Sequence, residues 1–209
     1  MTDRRPIASR NTGWAQGLTR ALARTAITPN QISIASMVFA ALAGLALYIG
    51  STAEGAMRAA LLLAAALCCQ LRLICNLLDG LVAVEGGKGT PDGAFWNEAP
   101  DRVSDILILV GLGHGIGQPE LGWAAATLAV GTAYIRELGR ATTTENDFCG
   151  PMAKPQRMAT VTLAAVIAAF WTAAPVLLVG LWIICIGAGA TILRRSARMI
   201  ARLRQGGNP

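Results

Sequence analysis

The sequence predicts an all-α, polytopic membrane protein: six transmembrane helices preceded by an interfacial amphipathic helix, in one domain over residues 1–209. Three observations predict it. The 209-residue chain is 54% hydrophobic and only 14% charged, with a mean hydropathy of +0.49; a water-soluble domain of this length needs less apolar sequence and more surface charge. The apolar runs are long, where a soluble α/β domain would show runs of about 4 to 8 residues. Lys and Arg are also segregated along the chain, as the positive-inside rule requires of a spanning protein.

In chain order, WAQGLTRALARTA over residues 14–26 puts Leu18 and Leu22 on one face and leaves Arg20 and Arg24 to point elsewhere. That pattern suits a helix lying among lipid headgroups, held by its apolar face and by attraction to anionic lipid; a solvated arm is the competing reading. Thr28, Pro29 and Asn30 end it and start the first span, with Thr28 or Asn30 as cap. A transmembrane domain over residues 31–195 then holds the apolar stretches Ile32–Gly50, Ala59–Leu78, Val103–Ile116, Leu121–Leu138, Met158–Ala174 and Val176–Leu193. Spans of about 17 to 25 apolar residues are what a hydrocarbon core demands. The third is short because acids occupy its leading end, where Pro100 predicts a kink or a reset first turn. A basic tail, residues 196–209, reads as a helical extension touching anionic lipid rather than nucleic acid.

Arg4, Arg5, Arg10, Arg20 and Arg24 precede the first span, Arg140, Lys154 and Arg157 separate the fourth from the fifth, and five arginines follow the sixth; the opposite loops hold little beyond Glu54, Arg58 and Glu120. Both termini are therefore expected on the cytoplasmic side of a bacterial-type inner membrane, which agrees with an even number of spans. No cleavable signal peptide is visible in the Arg-rich first thirty residues. The five cysteines have no metal-ligand spacing and read as packing residues. His114, the single histidine, lies in an apolar run without a recognisable relay partner.

Half of the chain's twelve acids fall between Asn76 and Asp105, in NLLDGLVAVEGGKGTPDGAFWNEAPDRVSD. Asn76 and Asp79 are three apart, while Asn97, Asp101 and Asp105 are four apart, so each set shares a helical face. EGGKGTPDG between them breaks the helix, and so short a loop predicts antiparallel neighbours. Oxygen ligands between two helices suit a hard divalent cation. An ion-pair network, with Arg72 and Arg102 neutralising Asp79 and Asp101, explains the same charges.

The stretch resembles the CDP-alcohol phosphotransferase signature DxxDGxxAR, eight residues, GxxxDxxxD. Asn76, Asp79, Gly80, Ala83, Val84, the eight residues EGGKGTPD, Gly93, Asn97 and Asp101 reproduce its spacing without a gap, and TPNQIS also looks like the family's entry to its first span. The chain departs from it at Asn76 and Asn97, where the family has its first and third aspartates, and at Val84, where it has arginine.

The resemblance implies an enzyme of phospholipid synthesis that moves a phosphatidyl or substituted phosphoryl group from a CDP-linked donor, such as CDP-diacylglycerol, to an alcohol acceptor, releasing CMP. It also implies Mg²⁺ or Mn²⁺ held around Asn76, Asp79, Asn97 and Asp101, Asp101 as general base, Gly80, Ala83 and Gly93 against the cytidine diphosphate, and a homodimer. Two asparagines remove two negative charges. The site then keeps a single ion completed by the donor's pyrophosphate, recruits Asp105, Glu98 or Glu85, or loses its metal. Arg136, Arg140, Lys154 and Arg157 are the candidates for binding the acceptor's phosphate, against ordinary loop charge. A catalytically inert scaffold keeping the fold is the alternative, and a small transporter a weaker one, since no internal repeat of spans is visible.

Overall fold

The computed structural model describes residues 12–143, 146–172 and 175–206. Arg4, Arg5 and Arg10, the end of the fifth apolar stretch at Ala173 and Ala174, and the last tail residues 207–209 lie outside the described residues. Those described form seven helices: α1 (Gly13–Ala23), α2 (Pro29–Thr52), α3 (Gly55–Val84), α4 (Gly93–Gly115), α5 (Pro119–Thr143), α6 (Lys154–Phe170) and α7 (Val176–Gly206). Their only regular secondary structure is helical.

Three helices, α2, α3 and α7 over Val176–Gln205, are long and apolar enough to cross a membrane. The other three long helices fall short for physical reasons. Glu98, Asp101, Arg102 and Asp105 crowd the first half of α4, Arg136, Glu137 and Arg140 end α5, and α6 has 17 residues with Lys154 and Arg157 in its first turn. Much of that charge is buried in pairs, as a polar group at membrane depth must be. Exposed Val38, Leu42, Leu45, Leu67, Leu163, Ile186 and Leu193 give the bundle an apolar exterior.

Local chemistry sets the helix ends. Thr28 caps α2: its hydroxyl accepts from the Gln31 N–H at 3.2 Å while the Gln31 side chain accepts from the Thr28 N–H at 3.0 Å, a reciprocal capping box, with Pro29 in the first turn. Thr28→Ala is expected to lower the melting temperature in detergent by an amount equivalent to about 1 kcal/mol. Pro100 does not reset the helix; α4 runs through it from Gly93. α7 likewise continues through the basic residues to Gly206.

Two glycine contacts bring helices together at backbone distance. A Cβ on Gly111 of α4 would lie 2.4 Å from the Gly44 carbonyl oxygen of α2, and one on Gly113 would lie 2.5 Å from Gly122 Cα of α5. Small residues at crossings let helices pack without a solvent-driven hydrophobic term. Gly111→Ala must force α2 and α4 apart and is expected to destabilise by about 1–3 kcal/mol in detergent melts. Gly189→Ala in α7, whose added methyl meets nothing within 4 Å, is the control and should be neutral or stabilising.

The short α3–α4 loop does not make those helices close neighbours. Each packs against α2, and their backbones approach one another little. Long polar side chains fill the gap: Arg72 and Asn76 from α3 reach Asp101 and Asp105 of α4. The loop is instead tied to α1, where the Lys88 ammonium donates to the carbonyls of Leu22 at 3.3 Å, Thr25 at 2.5 Å and Ile27 at 3.1 Å, satisfying the end of that helix. Lys88→Met should accelerate amide exchange over residues 13–27 about tenfold.

Candidate active site

A cavity of about 530 Å³ is lined by Asn76 and Gly80 of α3, Asn97, Glu98, Asp101 and Arg102 of α4, Arg136, Glu137 and Arg140 of α5, Lys154 and Arg157 of α6, and Arg195 of α7. Trp14 of α1 and Phe148 of the α5–α6 loop complete the apolar part of its wall. Cationic side chains outnumber acidic ones on it, so the cavity favours an anion.

Asp101, 2% exposed, is the most heavily engaged acid. Its Oδ1 accepts from Asn76 Nδ2 at 2.6 Å and from Arg72 Nη2 at 3.3 Å; its Oδ2 accepts from the Lys154 ammonium, with Arg102 3.7 Å away. The Asn76 amide is used at both ends, because its Oδ1 accepts from the same Lys154. Asp79 is buried beside this cluster: Ser33 Oγ of α2 donates to its Oδ2 at 2.8 Å, and the Gly80 N–H to its Oδ1 at 2.5 Å. Lys154 and Asp101 both act electrostatically on Asp79, so the two carboxylates belong to one charge cluster.

Asp105 is engaged by two arginines. It is fully buried and absent from the cavity wall; Arg72 Nη2 takes its Oδ1 at 3.2 Å and Arg157 Nη2 its Oδ2 at 2.5 Å. Four residues after Asp101 is the same face one turn deeper, where two arginines from other helices meet it. Arg157, 1% exposed, also donates to Thr132 Oγ1 and the Met152 carbonyl, both at 3.1 Å, while part of it reaches the cavity wall.

The ion-pair reading is half right, since Arg72 neutralises Asp101 and Asp105, whereas Arg102 pairs chiefly with Glu98 at 3.1 Å and Asp79 takes a hydroxyl. Glu98 is spent on Arg102 and Arg136, the latter at 2.6 Å.

Of the residues expected to meet the nucleotide, Gly80 lines the cavity, with nothing within 4 Å of where a Cβ would stand; Ala83 and Gly93 are not on its wall. Asn97 is exposed on it. Arg136 is braced by Glu98 and Glu137 and stands 5.9 Å from the Phe148 ring centroid; the exposed Arg140 pairs with Glu137 at 3.0 Å. His114 hydrogen-bonds the Val110 carbonyl of its own helix at 3.0 Å, away from the cavity.

In the loops, hydrogen bonds from Thr90 and the Trp96 indole hold the Asp92 carboxyl below its usual range. Burial works against ionisation of Asp147, but the Cys149 N–H, Arg198 and Arg202 outweigh it and hold that carboxyl low as well.

Sequence reasoning missed Ser33, Thr132 and Arg195. Arg195 donates to the carbonyls of Thr132 at 2.5 Å and Cys149 at 2.9 Å, fixing the loop that carries Phe148. Ser33 stands inside the TPNQIS segment, four residues after Pro29, which was the available signal.

No family model matches the chain. It is 26% identical over 186 residues to the phosphatidylinositol phosphate synthase of Mycolicibacterium smegmatis, covering 84% of this chain and 79% of that protein. Among solved structures, phosphatidylinositol phosphate synthase (PgsA1) of Mycobacterium tuberculosis with CDP-DAG bound superposes with a TM-score of 0.74 at 23% identity, over 88% of this chain and 92% of that one. The same enzyme in complex with manganese and citrate gives 0.74 and 23%, over 89% and 88%. With three membrane-length apolar helices and such a relative, the chain is an integral membrane protein. The gap-free signature spacing, the shared fold and the relative agree: the chain resembles the CDP-alcohol phosphotransferase family.

Proposed function

We propose that this chain transfers a phosphatidyl or substituted phosphoryl group from a CDP-alcohol, such as CDP-diacylglycerol, to an alcohol acceptor with release of CMP, in phospholipid synthesis. One observation carries the reading: Asn76, Gly80, Asn97 and Asp101 of the signature share a single cavity with Arg136 and Arg140. In this reading all six long helices span the inner membrane, α1 lies in the interface, both termini are cytoplasmic, and the whole chain is one domain. The cavity then opens to the cytoplasm. The family resemblance adds a homodimer.

The donor set fits one divalent ion better than two. Among the described residues no group of three His, Cys, Asp or Glu side chains is placed to hold a metal. Two carboxylates, Asp79 and Asp101, remain with the Asn97 amide oxygen, since the Asn76 oxygen accepts from Lys154, and the donor's pyrophosphate would complete the shell. Mg²⁺ or Mn²⁺ held there would neutralise the pyrophosphate and make CMP a better leaving group.

The chain's residues do the rest. Gly80 leaves room for the nucleotide against α3. Arg136, held rigid by Glu98 and Glu137, and Arg140 orient an anionic group on the acceptor. Asp101 takes the acceptor hydroxyl's proton. The freed oxygen bonds to the phosphorus distal to cytidine, and the bond from that phosphorus to the bridging oxygen breaks, so CMP departs with the electron pair. Asp105, Arg72 and Arg157 hold Asp101 in place from below.

The test is CMP release from CDP-diacylglycerol by the reconstituted chain with Mg²⁺ or Mn²⁺ and a panel of polyols and polyol phosphates as acceptors. CMP formed in step with a new phosphodiester is expected. Nucleotide binding without turnover on any acceptor would favour the inert scaffold, which the cations already engaged with Asp101 also suit.

A further inference from the structure

Asn76 and Asn97 stand where the family signature has acids, so the cluster has two negative charges fewer than the signature provides. A site stripped of that charge should not attract the same positive charge. Lys154 occupies the resulting space. Its ammonium bonds both the Asn76 carbonyl oxygen and Asp101 Oδ2, bridging α3 and α4 as a shared cation would. It also acts on the Asp79 charge and lines the cavity.

Nor is Lys154 a loose surface side chain that fell in by chance. It begins α6, two residues after Met152, whose N–H donates to Thr191 Oγ1 at 3.0 Å and whose carbonyl accepts from Arg157. The backbone that aims the ammonium is thus pinned to α7 and to the buried Arg157–Asp105 pair.

Resting on the nucleotide reading of this cavity, we propose that the ammonium of Lys154 replaces one divalent cation, so that the chain binds a nucleoside diphosphate group with no more than one metal ion. The fixed charge is singly positive and donates hydrogen bonds, so it grips phosphate oxygens as a lysine does in other phosphate sites. Asn76 is the matching change: an amide oxygen accepts from an ammonium without the surplus negative charge that a second metal would need.

The experiment counts bound metal directly. The purified chain in detergent, saturated with CDP, is titrated with Mn²⁺ and bound ions are counted by electron paramagnetic resonance. No more than one Mn²⁺ per chain is expected. Lys154→Met should weaken CDP binding about tenfold or more, the loss of a charge-assisted hydrogen bond. Asn76→Asp/Asn97→Asp/Lys154→Met should take up a second Mn²⁺. Two Mn²⁺ on the unaltered chain, or CDP binding unchanged by Lys154→Met, would overturn the substitution of an ammonium for a metal while leaving the nucleotide reading intact. Failure of the unaltered chain to bind CDP at any Mn²⁺ concentration would sink both. The first count needs no variant, so it holds whether or not the substituted chains fold.

Discussion

Asp101→Asn is expected to reduce CMP release by about 10²–10⁴-fold, the range lost when a positioned general base is removed. The substitution keeps the size of the side chain and can still accept from Arg72 and Asn76 at Oδ1; because Asp101 would also help hold the metal, the assay is run at saturating Mg²⁺. It removes the proton acceptor and one of the two carboxylates left in the cluster. A kcat that falls while KM for the donor changes by less than about threefold identifies the base, because an interaction made only in the transition state lowers kcat. Wild-type turnover by Asp101→Asn would move the base elsewhere, and Glu98, on the same wall, would be next to test.

Arg72→Met is expected to destabilise the folded chain by about 3 kcal/mol, the lower end of the 3–5 kcal/mol range for breaking a buried ion pair. Arg72 is fully buried and bridges Asp101 and Asp105, at 3.3 and 3.2 Å. Deleting it leaves both carboxylates buried, though Asp101 keeps Lys154 and the more distant Arg102, and Asp105 keeps Arg157. That is why the low end is expected. Thermal unfolding in detergent measures it, and Arg72→Met with Asp105→Asn should be less than additive, since the second change removes a charge the first left uncompensated. Additive losses would mean that the two residues do not act on one another.

Each apolar run lies mostly within a helix because Pro29 and the glycine-rich insert mark ends by local chemistry, but polar residues carry α3 six residues past Leu78 and start α4 ten residues before Val103. The signature brings Gly80 and Asp101 to one cavity because its spacing is short and lies on two consecutive helices, and it leaves Asp79 buried beside that cavity. What escaped depends on helices distant in sequence. Lys154 reads from the sequence as a candidate for the acceptor's phosphate, but its bond to Asn76, 78 residues away, has no local signal. Arg157 has the same sequence context, yet it is buried and paired with Asp105. Helical spacing put Asp105 on the face of Asp101, but periodicity gives a direction without giving depth, and one turn separates the cavity wall from the ion-pair layer. The α3–α4 relation was misjudged because loop length limits how far apart two helices lie, not how close; α2, the shared packing partner, sets the separation.

Placing the diphosphate of a bound nucleotide is the most direct measurement. A structure of the chain soaked with CDP and Mg²⁺ should show the two phosphates between α3 and α4, within coordination or hydrogen-bond reach of the Asn76–Asp79 turn, Asp101 and Lys154. Phosphates bound only at Arg136 and Arg140, or no nucleotide in the cavity at saturating CDP, would contradict the assignment of donor chemistry to that pair of helices.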